Sequence, residues 1–344
     1  MHMTDALISP VVGGLGWAAA IGLSAVASRR MRNDPAASRP ALMGVLGAFV
    51  FAAQMVNFAI PGTGSSGHLG GGLLLAVILG PDAAFLAMTS VLTVQALLFA
   101  DGGLLALGCN IVNMGLFTCY VAYPLVYRPL AGFSLSRKRL TAAAIAAAVA
   151  GLLMGAFAVV LETTSSGVAQ LPFATFTLFM LPIHLGIGVV EGLVTAGVLL
   201  YVAKARPDLL QSASNTPGSS LRPLLLTLLA ASVFVGGLLS WFASPHPDGL
   251  EWSAARAGDQ QLAEPSDGLL ARIQDKTALL PDYSLPATSG ASEAPEESWP
   301  APSVGTSLSG IVGAGLTLVL AAAAGLGIRM LRSRDKPGPS SQAS

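Results

Sequence analysis

The sequence predicts an all-α, polytopic helical membrane protein with about nine transmembrane segments, arranged as seven followed by two. Three observations support this prediction. Of the 344 residues, 53% are hydrophobic and only 10% are charged, whereas a soluble domain carries about 25% charged residues. Apolar runs recur along the chain, most of them close to the ~20 residues that a helix needs to cross a bilayer. The 39 glycines suit a tight bundle, because small residues let helices in lipid approach closely.

Nine apolar segments follow one another along the chain. Their bounds are about 7–27, 41–59, 69–80, 82–100, 104–127, 140–161, 172–203, 223–242 and 306–328. The stretch 69–100 has two interpretations: one long helix, or two segments broken at Gly80-Pro81-Asp82. Two segments put the basic loop 128–139 on the cytoplasmic side, so we expect two. The first has about 12 residues, fewer than the ~20 of a full span, and we expect it to be tilted or buried inside the bundle.

The basic residues orient the chain in the membrane. Four arginines crowd the first loop, between residues 29 and 39, and such loops face the cytoplasm. With this orientation all but three of the 18 Lys and Arg residues are cytoplasmic. We therefore expect a multi-pass protein of a prokaryotic cell membrane, with the N-terminus and His68 outside and the C-terminus in the cytoplasm. The arginines follow the first apolar run rather than precede it, which disfavours a cleaved signal peptide.

Two stretches outside the spans divide the chain. Residues 204–222 are rich in Ser and Pro and are expected to form a flexible cytoplasmic linker. Residues 243–305 form a long polar segment, expected outside the cell, mostly irregular, with a short helix near 266–279. The predicted regions are a membrane domain (1–203), the linker, and a two-span domain (223–344).

The first two residues carry a candidate metal site. A chain that begins Met1-His2 offers an amine, the backbone nitrogen of His2 and its imidazole, which together close two chelate rings on one ion. A fourth nitrogen completes a square plane, the geometry that Ni(II) and Cu(II) prefer with nitrogen ligands. The bulky second residue leads us to expect that Met1 stays on the chain. His68, inside a Gly/Ser-rich stretch, has two interpretations: it supplies that fourth nitrogen, or it is an interfacial histidine.

Other polar residues lie in or near the spans. Asp5, Gln54 and Asn57 are candidates to hold the ligands in place. Gln95, Asn110 and Asn113 have two interpretations: they share that role, or they bond across helices. His184 and Glu191 share one face of the seventh segment. They are either functional groups within the membrane or a buried polar pair that fixes helix packing. The acidic residues at span ends are interpreted as boundary residues: Asp82, Asp101 and Glu162.

Several sequence features are absent. No Gly precedes a Lys, so the chain has no phosphate-binding loop of the GxxxxGK[ST] type and does not hydrolyse ATP by that route. There is no His-Glu-x-x-His and no Gly-x-Ser-x-Gly, which argues against a zinc protease or serine hydrolase of those types. The two cysteines lie in one predicted span, so a disulfide framework is not expected. We expect no enzyme activity, no cofactor and no nucleic-acid partner.

Several stretches resemble a known family. Residues 1–10, Met-His-Met-Thr-Asp-Ala-Leu-Ile-Ser-Pro, resemble the MHIPDGFLSP start of the CbiM/NikM substrate-binding subunits of nickel and cobalt energy-coupling factor (ECF) transporters. Residues 51–80, 95–103 and 107–115 are similar to that family too. Pro247-Asp248-Gly249-Leu250-Glu251 resembles the PDGLE signature of the family's small two-span N component, here fused behind the M component. One departure is Met3-Thr4 and Ala6 in place of Ile-Pro and Gly.

The resemblance implies a function. The metal, Ni(II) or Co(II), would be held in a square plane by the amine of Met1, the amide nitrogen and imidazole of His2, and His68. The implied partners are a transmembrane coupling subunit and two cytoplasmic ATPases. The alternative is a self-sufficient secondary carrier or channel for a divalent cation, which would use His184, Glu191 and the buried amide side chains.

Overall fold

The computed structural model describes residues 2–33, 39–132, 136–210, 220–258, 268–285 and 299–334. The helices are α1 (Pro10–Asn33), α2 (Pro40–Gln54), α3 (Gly72–Leu79), α4 (Pro81–Phe99), α5 (Leu107–Ala131), α6 (Arg137–Ser166), α7 (Phe173–Ala205), α8 (Arg222–Gly237), α9 (Gly249–Ala257), α10 (Leu269–Thr277) and α11 (Val304–Arg334). Within α5, Val112–Tyr127 has the wider π-helical winding. Short 3-10 turns occupy Asp5–Leu7, Pro207–Leu209, Leu239–Phe242 and Pro281–Tyr283. The strands β1 (Phe58–Ile60) and β2 (Ser65–Gly67) form a hairpin.

The all-α membrane class is confirmed. In the described part of the chain, six helices are long and apolar enough to cross a bilayer: α1, α4, α5, α6, α7 and α11. Helices α2 and α8 are apolar but have only 15 and 16 residues, and α3 has 8. At 1.5 Å per residue, α3 is about 12 Å long, well short of a ~30 Å hydrocarbon core. The count of nine full spans is therefore not confirmed.

The two-segment interpretation of residues 69–100 is confirmed. Gly80 adopts a φ of 82°, which ends α3, and Pro81 at the first helical position begins α4. Residues 72–78 of α3 are buried, as expected for the shorter segment. Arg30 Nη1 lies 3.7 Å from Asp82 Oδ1, so the turn at Gly80 is at the same end of the bundle as the arginine-rich end of α1.

The second apolar segment ends earlier than predicted. We expected a helix to about Ala59, but α2 ends at Gln54 and the chain continues as an antiparallel hairpin that pairs Phe58 with Gly67. Gly62 and Gly64 in the turn adopt φ values of 77° and 76°. Strands of three residues are too short to show an alternating pattern, so they could not be predicted from the sequence. The hairpin places His68 directly after a fixed strand.

Small residues bring the helices together, as the glycine content predicted. Gly188 and Gly192 of α7 lie against α6, and a Cβ on Gly188 would stand 2.8 Å from the Cα of Val149. Helix α11 packs against α2, α4 and α8, and α9 packs against α7. The two helices of the predicted two-span domain thus share an interface with the preceding bundle through α2.

The long polar segment is partly helical. Helix α10 confirms the short helix expected near residues 266–279, whereas α9 was not predicted. The backbone N–H of Leu280 donates to the oxygen of Leu98 at 3.1 Å, so this segment lies over the C-terminal end of α4. Parts of the predicted linker, of the polar segment and of the C-terminal tail lie outside the described residues: 211–219, 259–267, 286–298 and 335–344.

Candidate metal site

The N-terminal segment is docked into the bundle by its backbone. Met3 is fully buried, and its N–H donates to Asn110 Oδ1 at 2.8 Å while Asn110 Nδ2 donates to its oxygen at 3.2 Å. The N–H of Gly103 donates to the same oxygen at 2.9 Å. Asp5 Oδ1 accepts the N–H of Ala106 at 3.0 Å, and burial raises the pKa of Asp5 above its ordinary value. These contacts fix the position of His2 through its neighbours.

Two glycines make this docking possible. Gly102 has a φ of 81°, and a Cβ there would lie 2.8 Å from Asn110 Nδ2 and 3.5 Å from the Cβ of His2. A Cβ on Gly103 would overlap the carboxylate of Asp5. The loop after α4 therefore needs residues without side chains where the N-terminal segment crosses it.

The structure brings His2 and His68 together. Their rings stack with centroids 4.9 Å apart and an interplanar angle of 18°. His68 Nδ1 lies 3.1 Å from the oxygen of Leu69, so in the neutral ring Nδ1 carries the proton and Nε2 keeps its lone pair. Burial lowers the pKa of both imidazoles, that of His68 to about 3. Both rings are thus neutral near pH 7, the form that binds a metal.

His2 also faces a carboxylate that we had interpreted as a boundary residue. Asp101 Oδ1 lies 3.4 Å from His2 Nδ1, and the hydroxyl of Tyr283 donates to Asp101 Oδ2. His2 Nε2 is buried and has no hydrogen-bond partner among the described residues. Asp101 thus lies at a span end, as interpreted, and in addition at the mouth where the N-terminal segment docks.

The His68 loop is held by a carboxylate from α7. Glu191 accepts the N–H of Gly70 at 2.7 Å and that of Gly71 at 3.1 Å. Gln54 Nε2 donates to the oxygen of Gly70 at 2.7 Å, and Gln95 Nε2 donates to Gln54 Oε1 at 2.8 Å. The loop backbone is thus fixed from both α7 and α2.

The interpretation of His184 and Glu191 as a polar pair is wrong. His184 Nδ1 lies 2.8 Å from the oxygen of Met180 in its own helix, whereas Glu191 bonds the His68 loop. The two residues are two turns apart on α7 and each has a different partner. His184 borders a small cavity together with His68 and Asp248, so it lies close to the candidate site without stacking on either imidazole.

Of the three residues expected to support the metal ligands, two lie beside the imidazole-bearing loops and one does not. Gln54 and Asp5 hold the two loops that carry the imidazoles, as described above. Asn57 lies elsewhere: its backbone oxygen accepts the N–H of Ser244 at 2.7 Å, and it borders a cavity that Trp241 and Tyr283 also line. Asn110 and Asp101 have more direct contacts. Asp101 directly precedes Gly102 and Gly103 in the loop after α4, which was the available signal, whereas Asn110 lies in α5.

The PDGLE stretch covers the hairpin that precedes His68. Ser66 donates from its N–H to the oxygen of Pro247 and from its hydroxyl to the oxygen of His246, both at 2.8 Å. Asp248 caps α9 by accepting the N–H of Glu251 at 2.8 Å, and the Glu251 carboxylate reaches back to the N–H of Asp248. This is a capping box. A Cβ on Gly249 would lie 2.7 Å from Cγ2 of Ile183, so the signature packs directly on α7.

The donor set explains why side chains alone do not complete the site. Among the described residues, no group of three or more His, Cys, Asp or Glu side chains is placed to hold one metal ion. Two neutral imidazoles meet beside the N-terminus, and a four-nitrogen site needs two further donors. The backbone nitrogen of His2 is adjacent to its own ring, and Met1 lies outside the described residues. Nitrogen donors of this kind suit a late first-row divalent metal.

Two family models match the chain. Residues 2–209 match CbiM, described as a cobalt uptake substrate-specific transmembrane region. Residues 222–330 match the PDGLE domain. The first match covers more than half of the 344 residues, and the two matches are separated by residues 210–221, which fall within the predicted linker.

Individual proteins are similar along most of the chain. A NikMN protein of Archaeoglobus fulgidus is 35% identical over 326 residues, which are 93% of this chain and 96% of that one. The fused nickel transport protein NikMN of Rhodobacter capsulatus is 30% identical over 310 residues, 83% of this chain and 88% of that one. The crystal structure of a truncated transition metal transporter has a TM-score of 0.52 and 30% identity, covering 59% of this chain and 99% of that one.

Proposed function

The chain belongs to the CbiM family of transmembrane metal-uptake proteins, with a PDGLE domain behind the CbiM region, and we propose that it binds Ni(II) or Co(II) for uptake into the cell. The single observation that carries the proposal is the stacking of His2 on His68 at 4.9 Å. These residues are far apart in sequence and meet only because the N-terminal segment docks on the loop after α4. Both rings are neutral and nitrogen-donating, which a transition-metal site requires.

We propose that four nitrogens hold the metal in a square plane. They are the amine of Met1, the backbone nitrogen and the imidazole of His2, and the imidazole of His68. The tautomer of His68, with Nδ1 facing the oxygen of Leu69, leaves Nε2 for the metal. The backbone nitrogen of His2 binds after losing its proton, so metal affinity rises with pH. The square plane favours Ni(II), and relatives named for nickel transport share the fused arrangement.

The proposal includes ATP-driven transport through partner subunits. The resemblance implies a transmembrane coupling subunit and two cytoplasmic ATPases of the ECF type. The sequence has no phosphate-binding loop of the GxxxxGK[ST] type, so energy from ATP would come from such partners. In this arrangement the chain is the non-catalytic, metal-binding component.

The orientation is also part of the proposal. The site lies at the end of the bundle opposite Arg30 and Asp82, since α4 runs from Pro81 near that pair to Phe99 near Asp101. With the arginine-rich end in the cytoplasm, the site and the N-terminus face the outside of a prokaryotic cell membrane, and the C-terminus lies inside. Residues 1–203 would form the metal-binding domain and 223–344 the fused two-span domain.

The experiment that tests the ligand set uses the N-terminus. A histidine-free peptide tag added ahead of Met1 turns the amine into an amide, so Ni(II) affinity should be lost, whereas the same tag at the C-terminus should leave it unchanged. Titration of both purified proteins with Ni(II), and with Co(II) to compare the metals, measures this. Equal Ni(II) affinity of the extended and native chains would falsify the four-nitrogen site.

A second experiment separates the two modes of transport. The ECF proposal predicts metal uptake only in cells that also contain the coupling subunit and ATPases. A self-sufficient carrier or channel predicts uptake with this chain alone, driven by an ion gradient. Glu191, a natural residue for such a carrier, is engaged by two backbone N–H groups of the His68 loop.

The fused domain would assist metal loading. Its PDGLE stretch binds the β2 strand next to His68 through Ser66, which supports a role in placing the metal-binding loops. A chain ending at about Arg206 should therefore take up less metal than the full chain. Equal uptake by the two chains would show that the domain has no such role.

A further inference from the structure

The three residues with left-handed backbone conformation surround one contact. Among the described non-glycine residues, positive φ occurs at Ala100 (55°), Asp282 (50°) and Tyr283 (57°). Such conformations are strained and persist where the surroundings impose them, often at functional sites. Ala100 precedes Asp101, and Tyr283 is the residue whose hydroxyl donates to Asp101. The strain is thus confined to the two backbones that present this pair.

The polar segment 268–285 is fastened to the loop after α4 at several points. Gln274 Nε2 donates to the oxygens of Ala96 and Gly102, at 2.9 and 2.7 Å. The ring of Tyr283 stacks on Phe99, with centroids 4.7 Å apart and an angle of 15°. These contacts hold the Tyr283 hydroxyl in place against the carboxylate that faces His2. A chain of contacts therefore runs from Tyr283 through Asp101 to His2.

Charge gives Asp101 a function at this position. A divalent metal bound by one deprotonated amide nitrogen and by neutral amine and imidazole groups carries one net positive charge. Leaving a net charge in a buried place costs free energy unless an opposite charge accompanies it. Asp101 Oδ1 lies 3.4 Å from His2 Nδ1, close enough for its carboxylate to neutralise the complex.

We propose that Asp101, anchored by the hydroxyl of Tyr283, is the counter-ion of the metal site and that Tyr283 is a positioning residue for it. The inference rests on the proposed metal-binding function and deepens it. The segment 268–285 then controls how tightly the metal is retained. When the metal takes Nδ1 of His2, Asp101 gives up its contact with that nitrogen and remains beside the ring as the balancing charge.

The test uses the full chain with a free N-terminus, titrated with Ni(II) against a competing chelator. Loss of a group that supports a metal ligand costs about 10–100-fold in affinity. We expect Asp101→Asn to fall in that range and Tyr283→Phe to lose about tenfold, with its ring stack on Phe99 kept. In the double variant, affinity should equal that of Asp101→Asn alone, because Tyr283 acts through Asp101.

Two further variants separate charge from packing. Asp101→Glu keeps the charge and should retain more affinity than the isosteric Asp101→Asn, whereas a purely structural role predicts the reverse order. Gln274→Ala loosens the same segment without altering Tyr283 and should also weaken binding, which keeps the test valid if Tyr283→Phe fails to fold. The matched control is Tyr120→Phe, which removes a tyrosine donor 2.6 Å from Asp82 Oδ1 at the other end of the bundle.

Unchanged affinity in Tyr283→Phe, additive losses in the double variant, or a milder effect of Asn than of Glu at position 101 would each overturn the inference. An equal loss in Tyr120→Phe would do so as well. Failure of the four-nitrogen site shows differently, as equal affinity of the native chain and the chain tagged ahead of Met1. If the unmodified chain binds no Ni(II), the proposed function fails and this inference fails with it.

Discussion

Asn110 binds the main chain of Met3 on both sides, accepting its N–H at 2.8 Å and donating to its oxygen at 3.2 Å. One side chain thus fixes the backbone of the residue after His2. In Asn110→Ala the buried N–H of Met3 loses its acceptor, at about 1–3 kcal/mol for the unsatisfied group, whereas the oxygen of Met3 keeps the N–H of Gly103. We predict faster hydrogen exchange in residues 2–8 and about 10–100-fold weaker Ni(II) binding. Protection and affinity equal to those of the unmodified chain would contradict this.

Gly103 gives a steric test of the same docking. A methyl group at this position overlaps the Asp5 carboxylate, so Gly103→Ala should displace the N-terminal segment and weaken Ni(II) binding at least tenfold. The matched control is Gly14→Ala in α1, where a Cβ meets nothing within 4 Å. Titration of both variants with Ni(II) measures the difference, and equal affinities would show that docking tolerates the extra methyl.

The two histidines that border the small cavity, His68 and His184, should behave differently. His68→Ala removes a proposed ligand, so its effect on Ni(II) affinity should exceed the about 10–100-fold loss typical of residues that only support a ligand. His184→Ala should leave affinity largely intact, because His184 bonds the backbone of its own helix. Competition titrations compare the two. An unchanged affinity in His68→Ala would remove this residue from the site.

Glu191 should act on metal binding through the backbone of the His68 loop. Glu191→Ala leaves the N–H groups of Gly70 and Gly71 without their acceptor, and Glu191→Gln keeps one carbonyl oxygen to accept them. We predict a graded loss of Ni(II) affinity, with Ala worse than Gln and the Ala variant about 10–100-fold weaker than the unmodified chain. The same order should appear in hydrogen exchange at Gly70 and Gly71. Identical behaviour of both variants and the unmodified chain would exclude this role.

The number of protons released on Ni(II) binding identifies which ligand groups are protonated in the metal-free chain. Because the pKa values of both imidazoles are lowered from their ordinary value, that of His68 to about 3, both rings are neutral near pH 7. The protons then come from the amide of His2 and from an α-amine with an ordinary pKa of about 8. We predict release of about two protons per Ni(II) near pH 7, measured by calorimetry in buffers of different ionisation enthalpy. Release of three or four would mean that the imidazoles titrate too.

The same lowered pKa values affect stability with a definite sign. Below the ordinary histidine pKa of about 6.5, the unfolded chain takes up protons that the folded site does not. The free energy of unfolding therefore falls as the pH drops from about 6.5 towards the folded value near 3 for His68. Thermal unfolding of the metal-free chain should show this loss, and it should be smaller in His68→Ala. An equal acid sensitivity of both chains would contradict the assignment.

Composition and charge were sufficient to predict the fold class. The bilayer is the solvent of the spans, and it therefore affects which residues occur along the whole chain. The break at Gly80 was predicted because only two segments within residues 69–100 place all the basic loops on one side of the membrane. That requirement involves the whole chain. The hairpin at 58–67 was missed since its strands have three residues each. Helix α9 was missed although Asp248 and Glu251 have the three-residue spacing of a capping box, which was the available signal.

The candidate site was likewise predicted in part from the sequence. Met1, His2 and His68 were proposed from nitrogen chemistry and from resemblance, and the structure brings the two described residues of this set into contact. The contacts of Asp101 and Glu191 were not predicted, because each acts across elements that only tertiary structure joins. Position at the end of a span, or on one face of a helix, carries no information about such a partner.

The contacts of the PDGLE signature bear on whether the two domains need to be joined in one polypeptide. Its contacts with the hairpin use main-chain oxygens of His246 and Pro247, and its Asp248 and Glu251 serve to begin a helix. An interface made in this way does not depend on whether the two halves share one polypeptide. Joining them raises their effective concentration to about the millimolar range. A fused chain therefore stays assembled with an interface too weak to hold two separate proteins together at cellular abundance.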